Sequence, residues 1–357
     1  MSELRDILED TVTRLFDDFV TRETLEASET GVWPEPLWTA LTESGLTRPL
    51  VAESQGGAGA SWHDTFVIIK AAGRFAAPVP LPETILAGWL LGRSGMDIPD
   101  GPLTIAAGGT APLPSLTRQK DGWRVSGALP AVPWGAAAGH VVFTANHDGE
   151  TRLALAETAD AACQTDRNTA REPRDRLDFD AAPVELLAPE AATGDAIGLY
   201  GAMMRAAQMA GAVERALAEG VQYANDRVQF GRPIAKFQAI QHQLATLAAL
   251  SAQATLAAES AFRAADRRDP RFEIACAKVI AGEAAVAAAA IVHQVHGAIG
   301  FTYEHSLHFA TRRLWSWRPE FGGESLWAEE LGRMVAARGG DALWSDLTQR
   351  QSTGAPE

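Results

Sequence analysis

A chain of 357 residues, 46% of them apolar, is long for one hydrophobic core and suits two or three packed units. Its formal charge of -14 comes without a cluster of Lys and Arg, Arg312-Arg313 being too short a run, so nucleic acid is excluded as an expected partner. Cys163 and Cys276 stand outside any CxxC spacing, so neither a disulfide framework nor a zinc site is expected. The acidic start, Met1-Ser-Glu-Leu-Arg-Asp, lacks the basic and apolar regions of a signal peptide. The most apolar run, residues 284–292, is too short to span a bilayer. The expectation is a cytoplasmic protein with no membrane partner.

Residues 1–100 read as helices. Leu4, Ile7, Leu8, Val12 and Leu15 recur at helical spacing, and a second pattern runs over residues 36–45. Gly56, Gly57 and Gly59 mark a loop, and Ser61 is placed to cap a helix over residues 62–76. After the proline-rich residues 78–82, another helix is expected over 83–92. The character changes over residues 101–190. Short runs at 103–107, 122–127, 140–145, 152–156 and 181–187, bounded by Gly, Pro and Asn-x-Asp-Gly signals, predict a small β-barrel or sandwich and not a parallel sheet with crossovers. Residues 191–350 return to helix. Leu199, Met203, Ala206, Ala210, Val213, Leu217 and Val221 form one continuous apolar stripe. Alanine-rich patterns follow on either side of a break at Asp269-Pro270, and the natural product is a four-helix bundle. The fold class is therefore α+β, with helices, a small β-unit and a helical bundle in that order.

Two stretches could carry chemistry. Arg227-Val-Gln-Phe-Gly-Arg-Pro, followed by Phe237-Gln238, places a cation, the ring of Phe230 and the amide of Gln238 around a turn between two long helices. Gln294-Val-His-Gly-Ala-Ile-Gly-Phe closes a third, with Gly297 and Gly300 freeing the backbone. The corner formed by the first stretch suits the pyrophosphate and ring of a dinucleotide. Taken singly, Arg227 also fits a surface cation, Phe230 a turn plug, and Gln294 a solvated helix end. His293, His296, His305 and His308 lie at helical spacings, but no carboxylate or Cys completes a metal set, so no metal is expected.

In order and spacing the two stretches resemble the flavin-contacting signatures of the acyl-CoA dehydrogenases, with Ala298 in place of a usual Gly. The order of helices, β-unit and bundle is also that family's plan. The resemblance implies FAD touched by Arg227, Phe230, Gln238, Gln294, Gly297 and Gly300, partly from a neighbouring subunit. It also implies an acyl-CoA substrate, an electron-transfer flavoprotein as electron acceptor, and a homo- or hetero-oligomer. A carboxylate would take the acidic proton beside the carbonyl while the β-hydrogen leaves as hydride to the flavin.

Departures from the family pattern concern that base. Its commonest place falls on Phe321, and its alternative place, at the start of the helix leading to Arg227, falls near Gly201. Glu320, one residue early, is the nearest candidate base; a solvated helix-end carboxylate is the competing reading. The stretches 105–113 and 129–136 stand where relatives carry flavin-ring contacts and do not reproduce them. Three functions stay open. One is a flavin-dependent acyl-CoA dehydrogenase acting as a subunit of an oligomer. Another is a catalytically silent subunit completing the FAD site of an active homologue. The third is a related flavin enzyme oxidising a nitrogen substrate.

Overall fold

The computed structural model describes residues 3–108, 111–189 and 192–352. Five helices open the chain: α1 Glu3–Phe19, α2 Arg22–Glu29, α3 Glu35–Glu43, α4 Trp62–Phe75 and α5 Leu81–Arg93. In α1, Leu8, Val12 and Phe16 are buried at a spacing of four, so one stripe faces inward. The expected cap at Ser61 is present as a reciprocal pair, Ser61 Oγ accepting from Asp64 N at 3.0 Å and Asp64 Oδ2 from Ser61 N at 3.2 Å.

Seven strands follow: β1 Leu103–Ala106, β2 Ser115–Gln119, β3 Gly122–Pro133, β4 His140–His147, β5 Glu150–Glu157, β6 Ala161–Gln164 and β7 Arg174–Leu186. The ring β4–β5–β7–β3–β2 closes back on β4 through Ser115 and Asn146, so the sheet is a small barrel. β1 lies parallel on the same edge of β4, and β6 pairs with β7. Val125, Leu129, Val141, Phe143, Ala154 and Leu177 fill the interior. On β5 the alternate residues Leu153 and Leu155 face the other way and join the helical core.

The rest is helical: α6 Ala196–Asp226, the two-residue strands β8 Val228–Gln229 and β9 Arg232–Pro233, α7 Gln238–Ala265, α8 Arg271–His296, α9 Leu307–Trp317, α10 Glu324–Arg338 and α11 Leu343–Ser352. α6, α7 and α8 pack on one another, while α9 lies against α6 and α10 against α8. Alanines at the crossings bring the helices close. α4 meets α6 almost backbone to backbone, because a Cβ on Gly73 would fall 2.0 Å from Gln208 O and one on Gly211 2.0 Å from Lys70 O. The N-terminal helices are thereby locked onto the bundle. The stretch Arg271–Phe301 is long and apolar enough to cross a membrane by length and composition. The fold uses it as the bundle's core helix, Ala277, Ala281, Ala288 and Val292 being fully buried.

Candidate cofactor corner and the opposite end of the bundle

The chain runs up α6, down α7 and up α8, so the end of α6, the start of α7 and the end of α8 share one end of the bundle. A Cβ on Gly220 would touch both Leu244 and Val292 at 3.4 Å, which fixes the three helices at one level there. Arg227, Phe230, Gln238, Gln294, Gly297 and Gly300 are all at this end. Sequence reasoning expected a turn around Gly-Arg-Pro. The structure centres it one step earlier, on Phe230 and Gly231, with φ of 53° and 78° joining β8 to β9. Two positive φ values at a two-residue loop are the pattern of a type I′ turn. A left-handed conformation costs a bulky side chain about 1–2 kcal/mol. Phe230 adopts it and is still 92% exposed, so its ring repays little of that cost inside the chain.

Arg227, Gln238 and Gln294 are exposed, and their side chains make no hydrogen bond to any described residue. Nothing lies within 4 Å of the Cβ positions of Gly231 and Gly297, so the backbone there is open. Gly297 has φ 63° and ψ -144°, which a side chain rarely adopts. Gly300 is needed for a different reason: its Cβ would meet His296 Cβ at 2.9 Å. Free amide and guanidinium donors beside bare backbone fit the polar half of a dinucleotide.

Gly201 and Phe321 lie at the opposite end, about 39 Å from Arg227 along α6 at 1.5 Å per residue. The ring of Phe321 lies against Gly201 so closely that a Cβ there would sit 2.7 Å from it. Phe321 itself has φ 55°, and the Arg205 guanidinium sits 5.6 Å from its ring centroid. Lys278 Nζ holds the surrounding loop by donating to Arg318 O at 2.7 Å and Gly322 O at 2.8 Å. Trp327 Nε1 donates to Phe321 O at 3.0 Å. Burial pushes the Lys278 ammonium down to about 7, against the pull of Glu324 and Glu320.

Glu320, the candidate base, accepts from Arg174 Nε at 2.7 Å and from Arg205 Nε at 2.6 Å. Burial alone would raise its pKa, but these two guanidinium groups hold the carboxyl below the usual range. The same chain of charges continues from Arg205 to Glu83 at 2.5 Å, from Arg174 to Glu172 at 3.2 Å, and from Glu172 to Arg313 at 3.1 Å. Trp317 Nε1 also donates to Glu172, at 2.8 Å. These groups join α5, β7, α6 and α9, and sequence reasoning missed all of them except Glu320. Partners up to 146 residues apart leave no local signal.

Of the stretch 105–113, residues 109 and 110 lie outside the described residues. Further on, Trp134 is 7% exposed and packs edge-on against Trp33 at 6.1 Å. Among the described residues no group of His, Cys, Asp or Glu is arranged to hold a metal ion.

Comparison with known proteins places this architecture. The N-terminal domain of acyl-CoA dehydrogenases matches residues 2–97 and their C-terminal domain residues 199–323. Acyl-CoA dehydrogenase IpdE2 of Mycolicibacterium smegmatis is 31% identical over 324 residues, covering 88% of this chain and 93% of its own. FadE34 of Mycobacterium tuberculosis is 30% identical over 332 residues, covering 91% of this chain and 45% of its own. A variant of the Tcur3481-Tcur3483 steroid ACAD superposes with a TM-score of 0.85 at 28% identity, covering 93% and 98% of the two chains. The ChsE4-ChsE5 complex of Mycobacterium tuberculosis shares the fold with a TM-score of 0.86 at 23% identity, covering 94% and 98%. FAD is the cofactor of this group, and the open corner carries donors that fit it. With both family domains matched and the barrel between them, the chain belongs to the acyl-CoA dehydrogenase family.

Proposed function

We propose that this chain is the non-catalytic subunit of a heteromeric acyl-CoA dehydrogenase, supplying one edge of a sibling subunit's FAD site. One observation carries the reading: the Phe321 ring fills the notch at Gly201, so the two neighbourhoods where the family resemblance puts the base are packed against each other. Glu320 does not replace them. Tied to two arginines and held below the usual carboxylate range, it is a poor acceptor for a weakly acidic C–H proton.

In the assembly, Arg227 sets a fixed cation against the pyrophosphate, and Gln238 and Gln294 offer amide groups to its polar half. Phe230 covers an apolar part of the cofactor and excludes water. FAD supplies the two-electron acceptor for the hydride. The sibling's own carboxylate takes the proton beside the carbonyl of an acyl-CoA thioester, and an electron-transfer flavoprotein takes the electrons onward, in the cytoplasm. The about 39 Å between Arg227 and Gly201 along α6 supports this division, because one end of the chain faces a neighbour's chemistry and the other is packed solid.

The test is a flavin spectrum and a dehydrogenase assay on the purified chain, alone and mixed with homologous subunits encoded beside it. The expected result is a colourless, inert chain that restores flavin and turnover to a partner. A yellow chain that turns over acyl-CoA alone would instead establish a self-sufficient dehydrogenase.

A further inference from the structure

The segment 297–306, between α8 and α9, carries Gly297 and Gly300, and glycines cost the most entropy to hold in one shape. What holds it from outside is gathered at Tyr303, where three distant parts of the chain meet. From the first turn of α2, Arg22 Nη2 donates to Tyr303 O at 2.7 Å and Nη1 to Glu304 O at 2.8 Å. From the loop between β6 and β7, Arg171 Nη2 donates to the Tyr303 hydroxyl at 3.0 Å. The guanidinium carbons of Arg171 and of Arg312, on α9, lie 5.5 Å and 5.9 Å from the centre of the tyrosine ring. Glu29, at the end of α2, accepts from both Arg171 and Arg312 and so fixes the two guanidinium groups beside the ring.

This convergence contributes little to the stability of the fold. Tyr303 is 61% exposed, so it removes little apolar area from water. The side chains of Arg22 and Arg171 are 45% and 47% exposed, where water screens what they bind. Arg171 also keeps a left-handed backbone, φ 61°, which is costly for a residue with a side chain. A strained residue retained for exposed contacts points to placement and not to packing.

We propose that Arg22, Arg171 and Tyr303 form a clamp that positions residues 297–306. It draws one residue from the N-terminal helices, one from the barrel unit and one from the bundle. Arg22 and Arg171 are positioning residues, acting through Tyr303. A segment ordered in advance loses less freedom when a ligand arrives, and it binds the more tightly for that. The consequence for FAD rests on the proposed function: the clamp presents Gly297 and Gly300 to the cofactor already in place.

Two readouts separate the clamp from the function it serves. On the isolated chain, hydrogen–deuterium exchange is followed at amides 297–306, where Gly297 N donates to His293 O and Thr302 N to Ile299 O. Arg22→Ala should raise exchange there severalfold, with the unfolding midpoint and the exchange of α6 unchanged. Arg171→Gly suits the left-handed backbone, so the midpoint should hold while the same amides exchange faster. Tyr303→Phe keeps the ring and loses the hydroxyl, so its effect should be smaller. The second readout is the rate of FAD release from the complex with a sibling subunit. Release should be severalfold faster with Arg22→Ala, and Arg22→Lys, which keeps a cationic donor, should restore part of the difference. Unchanged exchange in Arg22→Ala and Arg171→Gly, or a rise spread over the whole chain with a lowered midpoint, would overturn the clamp. A loosened segment with unchanged FAD release would overturn its positioning role. Failure of the proposed function looks different: a complex without flavin would sink that reading, and exchange on the isolated chain would still decide the clamp.

Discussion

At the Arg227 end of the bundle, Arg227, Gln238 and Gln294 make no side-chain bond to the described chain, and Phe230 holds a strained turn in the open. At the Gly201 end, Glu83, Glu172 and Glu320 are matched by Arg174, Arg205 and Arg313, and Phe321 packs against Gly201, which has no side chain. Buried polar groups that satisfy one another build a fold, whereas exposed ones without a protein partner stay available to something outside it. The same helix carries both, so the contrast belongs to the residues and not to separate domains.

The comparison predicts unequal costs. The largest falls on Glu320→Gln, which leaves buried guanidinium groups short of a counter-charge and should cost about 3–5 kcal/mol in denaturant unfolding. Turnover per assembled enzyme should stay unchanged. Next is Lys278. Its folded pKa of about 7 lies below the usual value, so the folded state penalises the charged amine. That penalty is full below about pH 7 and fades as pH rises toward about 10.4, the unfolded value. Stability should therefore climb between those limits, and Lys278→Met should flatten the climb. Gly201→Ala should cost about 1–3 kcal/mol by overpacking against Phe321. The coupling shows in a double-mutant cycle, because Phe321→Ala makes room and should relieve most of that cost. The smallest effect on stability is Arg227→Ala, within about 0.5 kcal/mol by thermal or denaturant melts.

Much of the fold was legible because burial follows periodicity. The stripe from Leu199 to Val221 announced α6, and Ser61 announced the start of α4. Two strands of the barrel escaped notice, and for a reason. In β2 and β6 almost every residue is exposed or partly so, which leaves no alternation to read. That Arg227, Gln238 and Gln294 meet at one end of the bundle was legible too, since they are local to helix ends and spaced by the chain itself. The filled end was half legible. The resemblance puts the expected base positions at an aromatic ring and near a glycine, and a large residue facing a missing one is a signal in hindsight. Only the crossing of α6 with the segment before α10 reveals that they fit each other. Glu320 looked like a free carboxylate because Arg174 and Arg205 are remote in sequence and reach it only through β7 and α6.

The most direct test compares the two ends within one assembled enzyme. FAD content and kcat should be measured for partner complexes built with Arg227→Ala and with Glu320→Gln chains. Loss of one charge-assisted contact, worth about 1.5–3 kcal/mol, should weaken FAD retention about tenfold to a hundredfold with Arg227→Ala. The Glu320→Gln complex should keep both its flavin and its kcat. Abolished turnover with Glu320→Gln, alongside full flavin retention with Arg227→Ala, would contradict the assignment of the two ends.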